Sequence, residues 1–159
     1  MDDERIVARQ LGRAPRGRWR VVDRCSYGRP RVIATAPTLP DGTPFPTLFY
    51  LTCPHLVRLV GDLESDGALA TWRAALVAEP DLARRLDAAD EAYRAARAAE
   101  AEGVDPVPGV GIGGQSDPAA TKCLHAHVAA YLAGVDDPIG ERTVASLVQE
   151  CDDDRCEEA

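Results

Sequence analysis

The chain has 159 residues, of which 45% are hydrophobic and 28% charged, and its formal net charge is -8 at pH 7. This composition excludes a disordered protein, and the net negative charge argues against general nucleic-acid binding. No apolar run approaches the roughly 20 residues of a membrane span, and the acidic start MDDERIVARQ lacks the apolar segment of a signal peptide. We therefore expect a cytoplasmic protein with no membrane or nucleic-acid partner. It should form a single domain over residues 1–148, followed by an acidic, disordered tail at 149–159.

The N-terminal part of the chain is rich in arginine. Residues 1–31 carry nine Arg and four acidic residues, so this region has a charge of +5 and the remainder of the chain -13. Such a region can bind an acidic protein or a phosphate-containing partner, or the acidic remainder of the same chain can neutralise it. Within this region, DDERIVARQLG predicts a short helix that ends at Gly12.

Three β-rich runs follow the first helix. RWRVVDRC and RVIAT, joined by SYGRP, predict a hairpin, and TLFYL predicts a third strand whose continuous apolar residues indicate burial on both faces. From Pro54 onward helical patterns dominate, and Pro54 and Pro80 stand at favoured first positions of helices. The sequence therefore predicts an α+β fold, with a small three-stranded antiparallel sheet near the N-terminus packed by about five helices.

A glycine-rich segment, VDPVPGVGIGGQSDP, contains the pattern G-x-G-x-x-G at Gly109, Gly111 and Gly114. A dinucleotide site requires a strand directly before this pattern, whereas a helix and two prolines precede it here. The segment is therefore interpreted as a glycine-rich hinge. After it, the sequence predicts a helix that starts near Asp117 and stops at Gly134, and a last helix from about Glu141.

All three histidines lie within four residues of a cysteine. In the helix predicted from Pro118, Cys123 and His127 are four residues apart and share one flank, whereas His125 points to the other flank and is the weaker candidate. Cys53 stands at a predicted helix N-cap, where backbone N–H groups and the helix dipole lower a thiol pKa, and His55 lies in the first turn. Cys25 ends the first strand.

These residues predict a metal site. In a reducing compartment, cysteines act as metal ligands, reactive thiols or core residues rather than as a disulfide framework. Zinc or an iron–sulfur cluster suits this soft donor set. The expected ligands are Cys25, Cys53, Cys123 and His127, with His125 or His55 as substitutes.

Two alternatives remain open beside the metal site. In one, Cys123 or Cys53 is the nucleophile of a small hydrolase or transferase, and His127 or His55 is its base. In the other, the thiols fill the core of a protein-interaction module whose arginine-rich region docks a partner. Cys151 and Cys156, in the acidic tail, are interpreted as incidental in all three cases.

Three stretches together resemble one known family: RQLGRAPRG, TAPTLPDGTPFPTLFYLTCP and KCLHAH…LAG…DPIG. They resemble the domain of unknown function 501 family, found mainly in actinobacteria, over roughly residues 5–148. The family has no established activity. Its genes often lie near those of an exopolyphosphatase and a septum-formation initiator protein. The resemblance therefore implies a link to phosphate metabolism or cell division.

Overall fold

A computed structural model describes residues 2–156 of the chain. A three-stranded antiparallel sheet lies near the N-terminus, and helices pack around it, so the fold is α+β as the sequence predicts. Within residues 2–156, no helix combines the length and the apolar character needed to cross a membrane. The elements are α1 (Asp3–Leu11), β1 (Trp19–Arg24), β2 (Pro30–Thr35), β3 (Phe49–Leu51), α2 (Pro54–Ser65), α3 (Ala68–Ala78), α4 (Pro80–Glu100), α5 (Leu124–Leu132) and α6 (Pro138–Ala145).

The sheet has the order β1-β2-β3, with β2 in the centre and buried along its whole length. The predicted hairpin is confirmed: β1 and β2 are joined by a tight turn in which Gly28 has a φ of 77°, a conformation that favours glycine. In β3, Phe49 and Leu51 are buried but Tyr50 is 37% exposed. Burial of this strand on both faces is therefore a wrong prediction, because the side chain between the two buried ones is exposed.

The longest helix, α4, fixes two loops through its buried face. The hydroxyl of Tyr93 accepts hydrogen bonds from the amides of Leu48 (2.6 Å) and Phe49 (3.2 Å), which holds the start of β3 against the helix. One turn later, the fully buried Arg97 forms two bonds with Asp105, at 2.8 and 2.9 Å. The same guanidinium donates to the carbonyls of Pro46, Val107 and Val110. Arg97 therefore fixes the first half of the glycine-rich segment and the loop that leads into β3.

Both C-terminal helices begin at residues other than the predicted ones. Asp117 does not start a helix, because its carboxylate accepts the amide of Ala119 in a local turn, and α5 begins only at Leu124. Helix α6 begins at Pro138 rather than near Glu141, because the carboxylate of Asp137 caps it. In the glycine-rich segment, Ile112–Gly114 form a short 3-10 helix, and the element before it is α4 rather than a strand.

Acidic residues near the C-terminus pair with arginines of the hairpin. Glu150 lies 3.2 Å from Arg31, and a carboxylate oxygen of Asp154 lies 2.9 Å from Nε of Arg29. The segment up to residue 156 thus lies against β1 and β2, where the sequence predicts disorder from residue 149. Residues 157–159 of that predicted tail lie outside the described residues. Part of the arginine-rich region is neutralised by the same chain.

Candidate metal centre

Cys123 and His125 come together at the beginning of α5. Cys123 is the residue just before the helix and has an extended backbone, with a φ of -150°. Stacking of Cys123 on His127 would require both residues to be inside one helix, so the predicted i, i+4 arrangement does not form. The thiol lies instead beside the ring of His125, the histidine that the sequence favours less.

Glu64, in the last turn of α2, supplies a third donor group. Its Oε1 lies 3.3 Å from Nδ1 of His125, and the ligand atoms of Glu64, Cys123 and His125 all lie within 4.8 Å of one another. Among residues 2–156, this is the one group of three side chains that meets this criterion. A thiol, an imidazole and a carboxylate at this spacing are a donor set for a divalent transition metal.

The backbone of two helices fixes these side chains. Oε1 of Glu64 accepts the amide of Leu124 at 2.7 Å, which ties the carboxylate to the start of α5. The Nε2–H of His125 donates to the carbonyl of Val57 at 3.1 Å. Val57 and Glu64 are seven residues apart, so both lie on one face of α2. Metal-binding histidines usually have one ring N–H held by a carbonyl or carboxylate, which orients the other nitrogen toward the metal.

The surroundings favour the protonated ring of His125 when no cation is bound. The hydrogen bond to Cys123, the carbonyl of Val57 and the charge of Glu64 raise the pKa of His125 to about 9, although burial acts in the opposite direction. At neutral pH both ring nitrogens therefore carry protons. A cation that binds at Nδ1 must displace one of them.

A groove of about 390 Å³ opens beside Cys123 and His125. Its remaining walls are mostly apolar: Thr47, Phe49, Tyr50, Leu51, Val57, Gly113 and Ala126. Gly113 belongs to the glycine-rich segment and has a φ of 71°. A Cβ at this position would lie 3.3 Å from Cβ of Ala126 and 3.5 Å from Cβ of Cys123. The glycine thus lets the segment pack closely against the site.

His127 is engaged in a separate, buried network. Its Nε2 lies 2.7 Å from the hydroxyl of Thr121, and its Nδ1 lies 2.6 Å from Oδ2 of Asp137. The other oxygen of Asp137 accepts the amides of Ile139 and Gly140 at the start of α6. Both ring nitrogens of His127 have partners, and the network joins α5 to α6.

The remaining predicted ligands line a different pocket. Cys25, Cys53 and His55 surround it together with Cys151 and Cys156 from the C-terminal segment. Cys53 precedes Pro54, the first residue of α2, as predicted. The expected lowering of its thiol pKa is wrong, because burial raises the pKa of Cys53 and outweighs the backbone amides of Leu56 and His55.

Sequence reasoning missed Glu64. Glu64 lies beside the apolar stripe of α2, and nothing in its local pattern distinguishes it from an exposed helix residue. Its partner residues come about 60 positions later in the chain. Glu64 lies two turns after Val57 on the same face of α2. This position points to a role for Glu64 only when it is already known that α5 crosses that face.

Comparisons with known proteins give one match. No curated protein and no solved structure matches the chain. Residues 21–145, which cover most of the chain, match the family described as Protein of unknown function (DUF501). This match includes most of the hairpin, the donor group of Glu64, Cys123 and His125, and the Thr121–His127–Asp137 network. The chain therefore belongs to the DUF501 family, whose members are uncharacterised.

Proposed function

We propose that this protein binds a divalent transition-metal ion, zinc in the first place, through Glu64, Cys123 and His125. One observation carries the proposal: the three donor atoms, from α2, from the residue before α5 and from α5 itself, converge within 4.8 Å of one another. The fixed Nε2–H of His125 further supports it, because the carbonyl of Val57 orients the ring so that Nδ1 faces the carboxylate.

The donor types favour zinc over an iron–sulfur cluster at this position. Zinc accepts sulfur, nitrogen and oxygen ligands in a tetrahedron, whereas iron–sulfur clusters are held mainly by cysteine thiolates. The group of Glu64, Cys123 and His125 offers one sulfur only. Three protein ligands leave a fourth position for water or for a donor atom of a bound molecule. The adjacent apolar groove favours a ligand with a hydrophobic body and one metal-binding group.

Metal binding at this site is tested with purified protein, a colorimetric chelator and substitutions of the donor residues. We expect Cys123→Ser and His125→Ala each to weaken zinc binding by more than the roughly 10–100-fold typical of losing a residue that only orients a metal ligand. Glu64→Gln should weaken it as well, because the neutral amide is a poorer ligand. Asp62→Asn, an exposed position of the same helix paired with Arg58, is the matched control and should leave affinity unchanged. Equal zinc affinity in Cys123→Ser and in the unsubstituted protein would refute the proposal.

A second candidate function is an activated thiol. Cys123 stands directly before the N-terminus of α5 with an imidazole beside it and an open groove in front of it. This arrangement is typical of a nucleophilic cysteine paired with histidine. Alkylation by iodoacetamide separates the two functions. Rapid labelling of Cys123 in protein that binds no zinc would favour the thiol enzyme, whereas zinc that protects Cys123 from labelling favours the metal site.

A further inference from the structure

His55 offers an unused ligand atom in a buried position. Its Nε2–H donates to the carbonyl of Val148 at 2.7 Å, so the neutral ring carries its lone pair on Nδ1. That Nδ1 is buried and has no hydrogen-bond partner, and the residue as a whole is only 8% exposed. A buried polar atom without a partner is costly and calls for an explanation. The arrangement again resembles that of a metal-binding histidine with its second nitrogen fixed by a carbonyl.

Thiols surround this histidine. The pocket that His55 lines has a volume of about 10 Å³, which is room for one ion or water but not for a metal cluster. Four of the five cysteines of the chain line it: Cys25, Cys53, Cys151 and Cys156. They come from the hairpin turn, the start of α2 and the C-terminal segment. The fold thus gathers around His55 thiols that are far apart in the sequence.

We infer that this pocket is a second metal site, in which a single zinc ion is bound by His55, Cys25, Cys53 and Cys151. Three sulfurs and one nitrogen form a common tetrahedral zinc set. Cys151 is assigned as the fourth ligand because the partners of its thiol, the carbonyl of Asp153 and the side chain of Arg155, both belong to its own segment. The sulfur of Cys156 instead accepts a bond from Gln10, and its side chain is buried against Ile6.

The charges around the pocket suit this ion. Three thiolates and one zinc ion carry a net charge of -1 together. Arg29 lines the pocket and Arg31 lies next to it, and both also pair with carboxylates: Arg29 with Asp154, and Arg31 with Asp23 and Glu150. The guanidinium of Arg31 is close enough to Cys53 for their charges to interact. Binding releases the thiol protons to solvent, and the arginines stabilise the negative charge that remains.

Zinc binding in this pocket must draw the C-terminal segment inward. Among residues 2–156, only the group of Glu64, Cys123 and His125 has three ligand atoms within 4.8 Å of one another, so no three of the donor atoms around His55 lie that close together. The hydrogen bonds of the Cys151 thiol, to the carbonyl of Asp153 and with the side chain of Arg155, lie within its own segment, and sulfur hydrogen bonds are weak. Exchanging them for a zinc–sulfur bond fastens residues 150–156 to the hairpin and α2.

Cobalt substitution tests this site separately from the one at Glu64. Protein reconstituted with Co²⁺ should bind two ions per chain, and the sulfur-to-cobalt charge-transfer absorption should scale with the number of thiolates. The pocket supplies three thiolates and the Glu64 group one, so Cys123→Ser should retain roughly three quarters of this absorption. The variants Cys25→Ser and His55→Ala should each bind one ion fewer and lose most of the absorption. Cys25 is partly exposed and lies outside the hydrophobic core, so its substitution should leave the core intact.

The outcomes for the two sites are distinguishable. If Cys25→Ser and His55→Ala keep the full absorption while Cys123→Ser abolishes it, the second site is refuted and the first stands. If Cys123→Ser changes nothing while the pocket variants lose the ion, the proposed function at Glu64 fails and the second site stands. Cys156→Ser is the matched control within the pocket, and loss of the ion in this variant but not in Cys151→Ser would overturn the ligand assignment.

Discussion

Arg97 shows how much one buried charge can hold in place. Its guanidinium is fully buried and bonds Asp105 together with three backbone carbonyls. The guanidinium lowers the pKa of Asp105, chiefly through the hydrogen bonds between them. Because loop carbonyls inside a protein need partners, Arg97 satisfies groups that no secondary structure would pair. The residues that it fixes are the first half of the glycine-rich segment, whose Gly113 lines the groove.

Replacing Arg97 with Met should destabilise the protein by about 3–5 kcal/mol, because it leaves a mostly buried carboxylate and several carbonyls without their partner. Arg84→Met, at an exposed position of the same helix, should change stability by less than about 1 kcal/mol. Urea denaturation followed by circular dichroism measures both. If the free energy of unfolding fell no further in Arg97→Met than in Arg84→Met, water would be able to replace the guanidinium.

The crossing of α5 and α6 depends on one glycine. A Cβ at Gly140 would lie 2.2 Å from the carbonyl oxygen of His127 and 2.6 Å from Cβ of Tyr131. The absence of a side chain therefore lets α6 approach α5 closely enough for Asp137 to reach the ring of His127. This contact sets the position of α5, which carries His125.

Gly140→Ala should destabilise the protein by about 1–3 kcal/mol, because the two helices must move apart to admit the methyl group. Gly61→Ala provides the opposite case. Gly61 lies within α2, and a Cβ there meets no atom within 4 Å, so this change should stabilise the protein by about 0.5–1 kcal/mol. Thermal denaturation of both variants measures the difference. Equal melting temperatures of Gly140→Ala and Gly61→Ala would contradict the close approach of α6 to α5.

The sequence predicts most elements of this fold because their signals are local. The strands of the hairpin and the helices that begin at Pro54 and Pro80 follow from β-rich runs, turn residues and proline at the first helical position. The start of α5 does not follow from local signals, because Asp117 and Pro118 have the residue types typical of a helix start although no helix begins there. Contacts from other parts of the fold decide the real one: Glu64 bonds the amide of Leu124, and Thr121 bonds His127.

Candidate sites are harder to predict than elements. The sequence points to cysteine and histidine, and the structure indeed brings Cys123 to a histidine, but the partner is His125 and the third donor is Glu64. Cys25, Cys53 and His55 lie together at a second pocket. Spacing along the chain describes neighbours on one element. It does not show which helices, strands and loops lie against one another in the fold. Both groups of cysteine and histidine side chains depend on such contacts between distant segments.

At the scale of the whole molecule, the C-terminal segment closes one side of the hairpin. Arg29 and Arg31 hold Asp154 and Glu150, and Cys156 packs against Ile6 of α1. The first helix, the hairpin and the last described residues therefore form one layer. Acidic residues that could repel one another in a free tail are neutralised by this contact.

Asp154→Asn should loosen this layer, because the amide cannot replace the charge-assisted bonds of the carboxylate with Arg29. The buried thiol of Cys156 should then react severalfold faster with a disulfide reagent. Asp152→Asn is the matched control, since Asp152 is an exposed neighbour in the same segment. Added salt should accelerate the reaction of the unsubstituted protein by screening the pair. Identical rates in the two variants would show that apolar packing alone holds the segment.

The carboxylate of Glu64 contacts two groups of α5 through one oxygen. Its Oε1 accepts a hydrogen bond from the first amide of α5 and also faces the ring of His125. Any cation drawn to this oxygen competes with the Leu124 amide for the same lone pairs. The binding of a cation at Glu64 and the ordering of the first turn of α5 are therefore thermodynamically linked, so that each changes the free energy of the other. Because α5 packs on both β3 and α6, such a change at one carboxylate would be transmitted to the middle of the molecule.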